Sequence, residues 1–399
     1  MSDPIRIELD VAECPPGFEA GGITCGLRKS GRPDLAVFLC RNGASAAGVF
    51  TQNLVRAACI EICIDHLKDS GGRVRALVIN SGNANAATGA EGRRRAERTA
   101  IELAKALECP VEETLVSSTG VIGVQLPVDT IIDAYPMLLE SASPDGLPAA
   151  GRAILTTDTC SKSAQATVTR EGRTFRVAGV AKGSGMIHPN MATMIAVMLT
   201  DAAVEPPALQ RMLTSATNRT FNRITVDGDT STNDGAYLFA SGEAGEFPES
   251  LVAEAIERVS KALALMIVRD GEGARKVIHV LVSGGADEPQ ARRVAQTVAS
   301  SLLVRTAVTG GDPNWGRILA AAGRAGVPID PARIRLSAVG VPLFANGAPV
   351  DSPRDALIEA FRGPDVELEI DLGEGDARGE FYTCDLTEGY IHINADYTT

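Results

Sequence analysis

The sequence predicts a layered α/β fold, with sheets packed against helices. Stretches of strand periodicity alternate with stretches of helical periodicity along all 399 residues, the pattern of helices laid on sheets. Apolar residues make up 45% of the chain and charged residues 22%, an ordinary globular balance that fills a core without disulfide staples. The length predicts two or three subdomains.

Each element follows from local pattern. "RALVIN" (75–80) is a short apolar run and reads as a buried strand. Over 92–108, Ala96, Ala100, Ala104 and Leu107 share one helix face, and Pro110 stops the helix. "TLVSSTGVIG" (114–123) is a strand entering a tight glycine turn. Residues 164–169 and 175–177 alternate about Glu171-Gly172, which predicts a hairpin. Met194 to Leu199 is an apolar run that reads as a buried strand. Helices are expected over 207–217, 250–268 (the longest) and 289–303, the last with proline in its first turn. Strands are expected at 276–282, at 366–372, and at the end in "YIHINADY" (390–397). "ASGEAGEFPES" (240–250) is the expected break between subdomains.

Charge and motif exclude several functions. A net charge of −12 argues against nucleic acid or an anionic membrane surface as partner. Arg93, Arg94 and Arg95 read as the solvated face of a helix. The eight cysteines show no metal-ligand spacing and read as buried thiols of a reducing compartment. The N-terminus lacks the regions of a signal peptide, and no apolar run reaches membrane-spanning length. A cytoplasmic protein without a metal site is therefore expected. No phosphate-binding loop is present, the glycines at 183–185 do not open a helix, and the four histidines stand far apart.

Attention falls instead on "GSGMIHPNMATMIAVMLTDA" (183–202). A polar, glycine-rich stretch ends at Ala192-Thr193, where the buried strand begins. A threonine hydroxyl is a weak nucleophile without an adjacent base. Cutting the chain before Thr193 would supply one, an α-amine of pKa about 7.7–8.0. The cut can be self-made, by attack of the hydroxyl on the preceding carbonyl, N-to-O acyl shift and hydrolysis. By pattern alone, the plainer reading is the favoured one: a glycine-rich turn entering a core strand, with Thr193 at its end. "VSSTGVIG" (116–123) adds a small-residue turn whose N–H groups could face an oxyanion.

AKGSGMIHPNMATM, SSTGVIG, TTDT, DGEGA and the terminal INADYTT, in this order, resemble the ornithine acetyltransferase (glutamate N-acetyltransferase) family of arginine biosynthesis. "NSGNANAATG" (80–89), "DGDTSTND" (227–234) and "GGDPNWGR" (310–317) are similar to the family as well, so the likeness covers the whole chain. It implies a fold related to, but differently connected from, the N-terminal-nucleophile hydrolases. It also implies self-cleavage between Ala192 and Thr193. Residues 1–192 and 193–399 would form the α and β chains of one intertwined catalytic unit, assembled as α2β2 or higher.

The resemblance makes Thr193 the nucleophile and Thr119 and Gly120 the oxyanion hole. Acetyl would pass from N2-acetylornithine to Thr193 and then to glutamate, with no cofactor. Thr156 (or its neighbour Thr157), Lys182, Thr193, Glu272, Asn394 and Thr399 would bind substrate, Lys182 through a carboxylate and Glu272 through the ornithine ammonium. Without the resemblance, Glu272 is a solvated turn residue and Asn394 and Thr399 belong to the tail. The resemblance leaves open whether acetyl-CoA is a second donor. A self-cleaving aminopeptidase, a non-catalytic binding module and a divergent relative acting outside arginine synthesis are the competing readings.

Overall fold

Two hydrogen-bonded sheets organise the computed structural model, which describes residues 5–188 and 194–396. The first eight strands are β1 (Ile5–Leu9), β2 (Glu19–Ile23), β3 (Leu35–Phe50), β4 (Arg73–Asn83), β5 (Thr114–Val121), β6 (Lys162–Arg170), β7 (Arg173–Lys182) and β8 (Ile195–Ala202). Then come β9 (Ile224–Thr225) and β10 (Gly235–Gly245). The remaining strands are β11 (Val277–Gly285), β12 (Arg335–Ala338), β13 (Val341–Ala345), β14 (Ala348–Pro349), β15 (Asp365–Asp371) and β16 (Ala377–Cys384). A nine-stranded sheet runs β1-β6-β7-β8-β10-β3-β4-β5, with β2 beside β3. A seven-stranded sheet runs β14-β13-β12-β15-β11-β16-β9.

The described residues divide into two compact units, one of 5–188, 194–222 and 229–267, the other of 223–228 and 268–396. The expected break at 240–250 is therefore wrong. That stretch is the end of β10 and the turn after it, and β10 is paired on both sides, with β3 and β8. Glycine and glutamate there mark an irregular strand end, where the β8 register slips after Ala240, rather than a linker.

In the first unit, β8 is buried along its whole length, so the run after Thr193 is the core strand its composition predicts. It lies between β7, antiparallel, and β10, parallel. The hairpin of β6 and β7 turns at Glu171 and Gly172, both with positive φ (54° and 76°), the backbone that matches strand twist in a two-residue hairpin. The helix Gly89–Leu107 buries Ala96, Ala100, Leu103 and Ala104 and packs on β5. The three arginines stay outside, paired with Glu61, Asp65, Glu91 and Glu97. The longest described helix, Glu249–Arg269, meets the sheet where Gly179 leaves room: a Cβ there would lie 3.0 Å from a Leu263 methyl.

In the second unit the helix Glu288–Ala299 packs on β11 and β16. Two expectations are corrected here. The helix predicted over 289–303 is two helices, because Ser301 caps a new one (Leu302–Thr309) by accepting the Val304 N–H. The terminal "YIHINADY", as far as it is described (390–396), is not a strand but lies in a helix, Glu388–Asp396, none of whose residues is buried. The alternation of Ile391 and Ile393 is overruled locally: the Thr387 hydroxyl accepts the Gly389 N–H, and Glu388 sits in the first turn, a start that favours a helix. The cysteines are free, as expected, but only five are buried; Cys160 is exposed and Cys25 and Cys109 are half-buried. Among the described residues no helix is long and apolar enough to cross a membrane.

Candidate active site

The end of β5 carries Thr119 and Gly120. β5 runs parallel to β4, and the register slips at Gly82 and Asn83, so the strand end departs from the regular ladder. Gly120 has φ +133°, and a Cβ there would lie 2.4 Å from the Gly82 carbonyl carbon and 2.6 Å from the Asn83 nitrogen. No side chain fits. The close approach of two backbones is the physical reason for glycine at 120.

Buried asparagines fix this corner. Asn80 accepts the Ser118 hydroxyl at 2.7 Å and donates to the Asn83 carbonyl. Asn83 donates to the Val124 carbonyl and accepts the Asn85 N–H. Asn233, from the loop before β10, donates to the carbonyls of Ala84 and Ser118 at 2.6 and 2.8 Å. Asn80 and Asn233, from the motifs at 80–89 and 227–234, thus meet at Ser118, the residue before Thr119. A buried amide that satisfies backbone carbonyls holds irregular chain in one conformation.

Behind Thr119 lies a buried cluster of charge. Lys182, at the end of β7, donates to the Thr119 hydroxyl at 3.4 Å and is 5% exposed. Asp158 accepts the Lys162 ammonium at 2.7 Å, with both side chains fully buried. It also accepts the N–H groups of Gly183 (2.6 Å) and Thr156 (2.9 Å). Burial pushes the Asp158 carboxyl up, but Lys182, Lys162 and the Gly183 N–H outweigh burial and hold it at about 2. One carboxylate therefore joins the TTDT loop, the start of β6 and the start of the glycine-rich stretch.

Of the expected site residues, Thr119, Gly120, Thr156 and Lys182 belong to this corner of the first unit. Thr156 is half-buried, tied by its N–H to Asp158 and by its carbonyl to Arg28. Glu272 and Asn394 meet in the second unit, where the Asn394 amide donates to Glu272 at 2.8 Å. Glu272 is 9% exposed, not the solvated turn residue that its flanking glycines suggest. Gly273 permits the contact: its φ is +71°, and a Cβ would strike the Tyr390 nitrogen at 2.4 Å. Ala192, Thr193 and Thr399 lie outside the described residues. Sequence reading missed Asp158, Lys162, Asn233 and Asp234 as individuals, although Asp158, Asn233 and Asp234 sit inside motifs it singled out. Among the described residues no group of histidine, cysteine and acidic side chains could hold a metal.

A hydroxyl and a glycine backbone at an irregular strand end, backed by a buried ammonium, form an arrangement that can face developing negative charge on an oxygen. The ArgJ family model matches residues 19–399, and the chain belongs to that family. It is 47% identical to the arginine biosynthesis bifunctional protein ArgJ of Prochlorococcus marinus, over 96% of this chain and 92% of that protein. It is 48% identical to the protein of the same name from Thermus thermophilus, over 96% and 99%. Among solved structures, the arginine biosynthesis bifunctional protein argJ of Bacillus halodurans aligns with 37% identity and a TM-score of 0.49, covering 50% of this chain and 98% of that one.

The charge cluster predicts a pH-dependent stability. The folded pKa of Asp158 is below its unfolded value of about 3.9, so its contribution is present above that value and is lost as pH falls toward 2. Asp158→Asn removes the buried carboxylate that accepts the Lys162 ammonium and should cost about 3–5 kcal/mol at neutral pH. Urea unfolding of both proteins measures it. A loss of only about 0.5 kcal/mol, that of a surface change, would contradict the account.

Proposed function

We propose that the chain transfers acetyl groups in arginine biosynthesis, from N2-acetylornithine to glutamate, through an acetyl ester on Thr193. One observation carries this reading: relatives named as arginine biosynthesis bifunctional proteins match 96% of the chain at 47% and 48% identity. The relatives are called bifunctional, which supports acetyl-CoA as a second donor to the same acceptor, glutamate.

The steps follow from the residue types. Cleavage between Ala192 and Thr193 frees an α-amine, which takes the Thr193 hydroxyl proton as the oxygen attacks the acetyl carbonyl. Thr119 and Gly120 stabilise the oxyanion, with Lys182 holding the Thr119 hydroxyl in place. Ornithine leaves with its nitrogen protonated, glutamate attacks the ester, and Thr193 is regenerated. Thr156 and Lys182 bind the shared amino-acid end of both substrates. Glu272, oriented by Asn394, takes the side-chain ammonium of ornithine, and Thr399 completes the pocket. β7 and β8, which bracket the cut, are neighbours in one sheet. That pairing supports two pieces that stay together after cleavage; the resemblance to the family implies their assembly as α2β2 or higher.

Two outcomes are expected. The purified protein separates on a denaturing gel into two fragments, the second beginning at Thr193, and Thr193→Ala gives one inactive chain. An active enzyme made of a single intact chain contradicts the reading. In addition, Glu272→Gln lowers kcat/KM for N2-acetylornithine about ten- to a hundredfold, the loss of one charge-assisted contact, and affects glutamate less. Equal losses for donor and acceptor would mean that Glu272 does not read the ammonium.

A further inference from the structure

The short segment between β16 and the helix Glu388–Asp396 grips the loop that carries Glu272. The segment is itself held at its carbonyls. The buried Arg305 guanidinium donates to the Cys384 carbonyl at 2.7 Å, and the Thr309 hydroxyl donates to the Leu386 carbonyl at 2.9 Å. Two side chains of the segment then reach the loop. Asp385 accepts the N–H groups of Arg275 and Lys276 through one oxygen, at 2.8 and 2.9 Å. The Thr387 hydroxyl donates to the Gly273 carbonyl at 2.6 Å. Both side chains are buried, and neither has a place in the mechanism above.

Thr387 makes a second bond that Asp385 does not. Its hydroxyl oxygen accepts the Gly389 N–H at 3.1 Å, one of the N–H groups that a helix start leaves without an intrahelical partner. That helix carries Asn394, whose amide donates to Glu272 at 2.8 Å. Gly273 is covalently the residue after Glu272. One hydroxyl therefore ties the neighbour of the carboxylate to the helix that bears the carboxylate's partner. No residue of that helix is buried, and a helix without a buried face gains little from packing, so the bond at its start carries more of the task of fixing it. The ion pair of Arg275 and Glu388 also joins loop and helix, but it is exposed on both sides and contributes little.

We propose that Thr387 is a positioning residue for recognition of the acetyl donor, holding the Glu272 carboxylate and the Asn394 amide in one geometry. The inference rests on the reading of Glu272 given above, in which its carboxylate takes the side-chain ammonium of ornithine. A charge-assisted contact depends on distance and direction, and a binding group keeps both only while the bonds that support it hold. Removing the hydroxyl releases the Gly273 carbonyl and the Gly389 N–H together, so the loop and the helix start lose their common anchor.

The two substrates separate this role from a merely structural one. Glutamate has no side-chain ammonium and does not use the contact, so the loss should fall on N2-acetylornithine. Within that substrate the ammonium stands at the far end of the side chain from the acetylated nitrogen. It is bound alike before and during the reaction, so its loss should appear in KM more than in kcat. In a double-displacement reaction kcat/KM for each substrate reports its own half-reaction, which lets donor and acceptor be read independently.

The experiment uses the full chain. Thermal unfolding, and kcat and KM with N2-acetylornithine and with glutamate, are measured for the natural protein, Thr387→Val, Thr387→Ala, Thr387→Ser, Glu272→Gln and the double variant Thr387→Val/Glu272→Gln. Thr387→Val keeps the shape and loses the hydroxyl. It should lower kcat/KM for N2-acetylornithine about tenfold, mostly through KM, and leave glutamate within about twofold. Thr387→Ala should do the same, and Thr387→Ser, which keeps the hydroxyl, should stay near the natural values. Added to Glu272→Gln, Thr387→Val should cost less than about twofold more, because the contact it supports is already gone.

Equal losses for donor and acceptor in folded Thr387→Val and Thr387→Ala overturn the inference, as do natural values in both. A full tenfold loss on the Glu272→Gln background overturns it too, and so does a Thr387→Ser that behaves like Thr387→Val. Should neither Thr387→Val nor Thr387→Ala fold, the hydroxyl serves stability and the inference falls. In each of these cases a donor-selective loss in Glu272→Gln leaves the reading of Glu272 standing. Equal losses for donor and acceptor in Glu272→Gln remove that reading and the inference with it.

Discussion

The contact on which the site depends is the buried carboxylate of Asp158 held against Lys162 and the N–H of Gly183. Two charges taken out of water are tolerated only with close geometry and every remaining lone pair occupied. Here the carboxylate accepts from an ammonium and two backbone N–H groups within 2.6–2.9 Å. Because those donors come from three segments, satisfying the charge also fixes where β7 ends. Lys182 is the last residue of β7, so the geometry of Lys182 against Thr119 is inherited from Asp158. The ion cluster is better understood as a device for position than as a source of net stability.

The asparagine frame does the same for the other half of the site. Gly82, Asn85, Ala87 and Gly89 all have positive φ, an expensive run of backbone for any chain. Asn80 and Asn233 bond the carbonyls of Asn83 and Ala84 within that run, and Asn83 and Asn85 tie it to the carbonyls of Val124 and Gly92. The result is a strand end at Thr119 and Gly120 held in one shape, as the oxyanion role proposed for it requires. Preorganised donors need no rearrangement at the moment of reaction, which is where most of their catalytic effect lies.

The fold class, the hairpin at Glu171-Gly172, the buried strand after Thr193 and the helix of 89–107 were legible because each depends on local periodicity or a turn that only certain residues can make. Thr119, Gly120 and Lys182 could be named through their motifs. What could not be read were interactions across distance in the chain. Asp158 meets Gly183, and Asn233 meets Ser118, only through strand order. Glu272 is buried because a helix crosses Gly273, and that helix itself was misread as a strand, since two alternating isoleucines outweighed a threonine cap. The subdomain break was misplaced for a similar reason: glycine and glutamate mark an irregular strand end as readily as a linker.

The proposed reaction turns on one covalent species, an acetyl ester on Thr193. The direct test mixes the enzyme with N2-acetylornithine in the absence of glutamate, quenches in acid and measures fragment masses with peptide mapping. The peptide starting at Thr193 is predicted to gain the mass of one acetyl group and to lose it when glutamate is added before the quench. No acetylated peptide under turnover conditions, or an acetyl group carried on another residue, would contradict it.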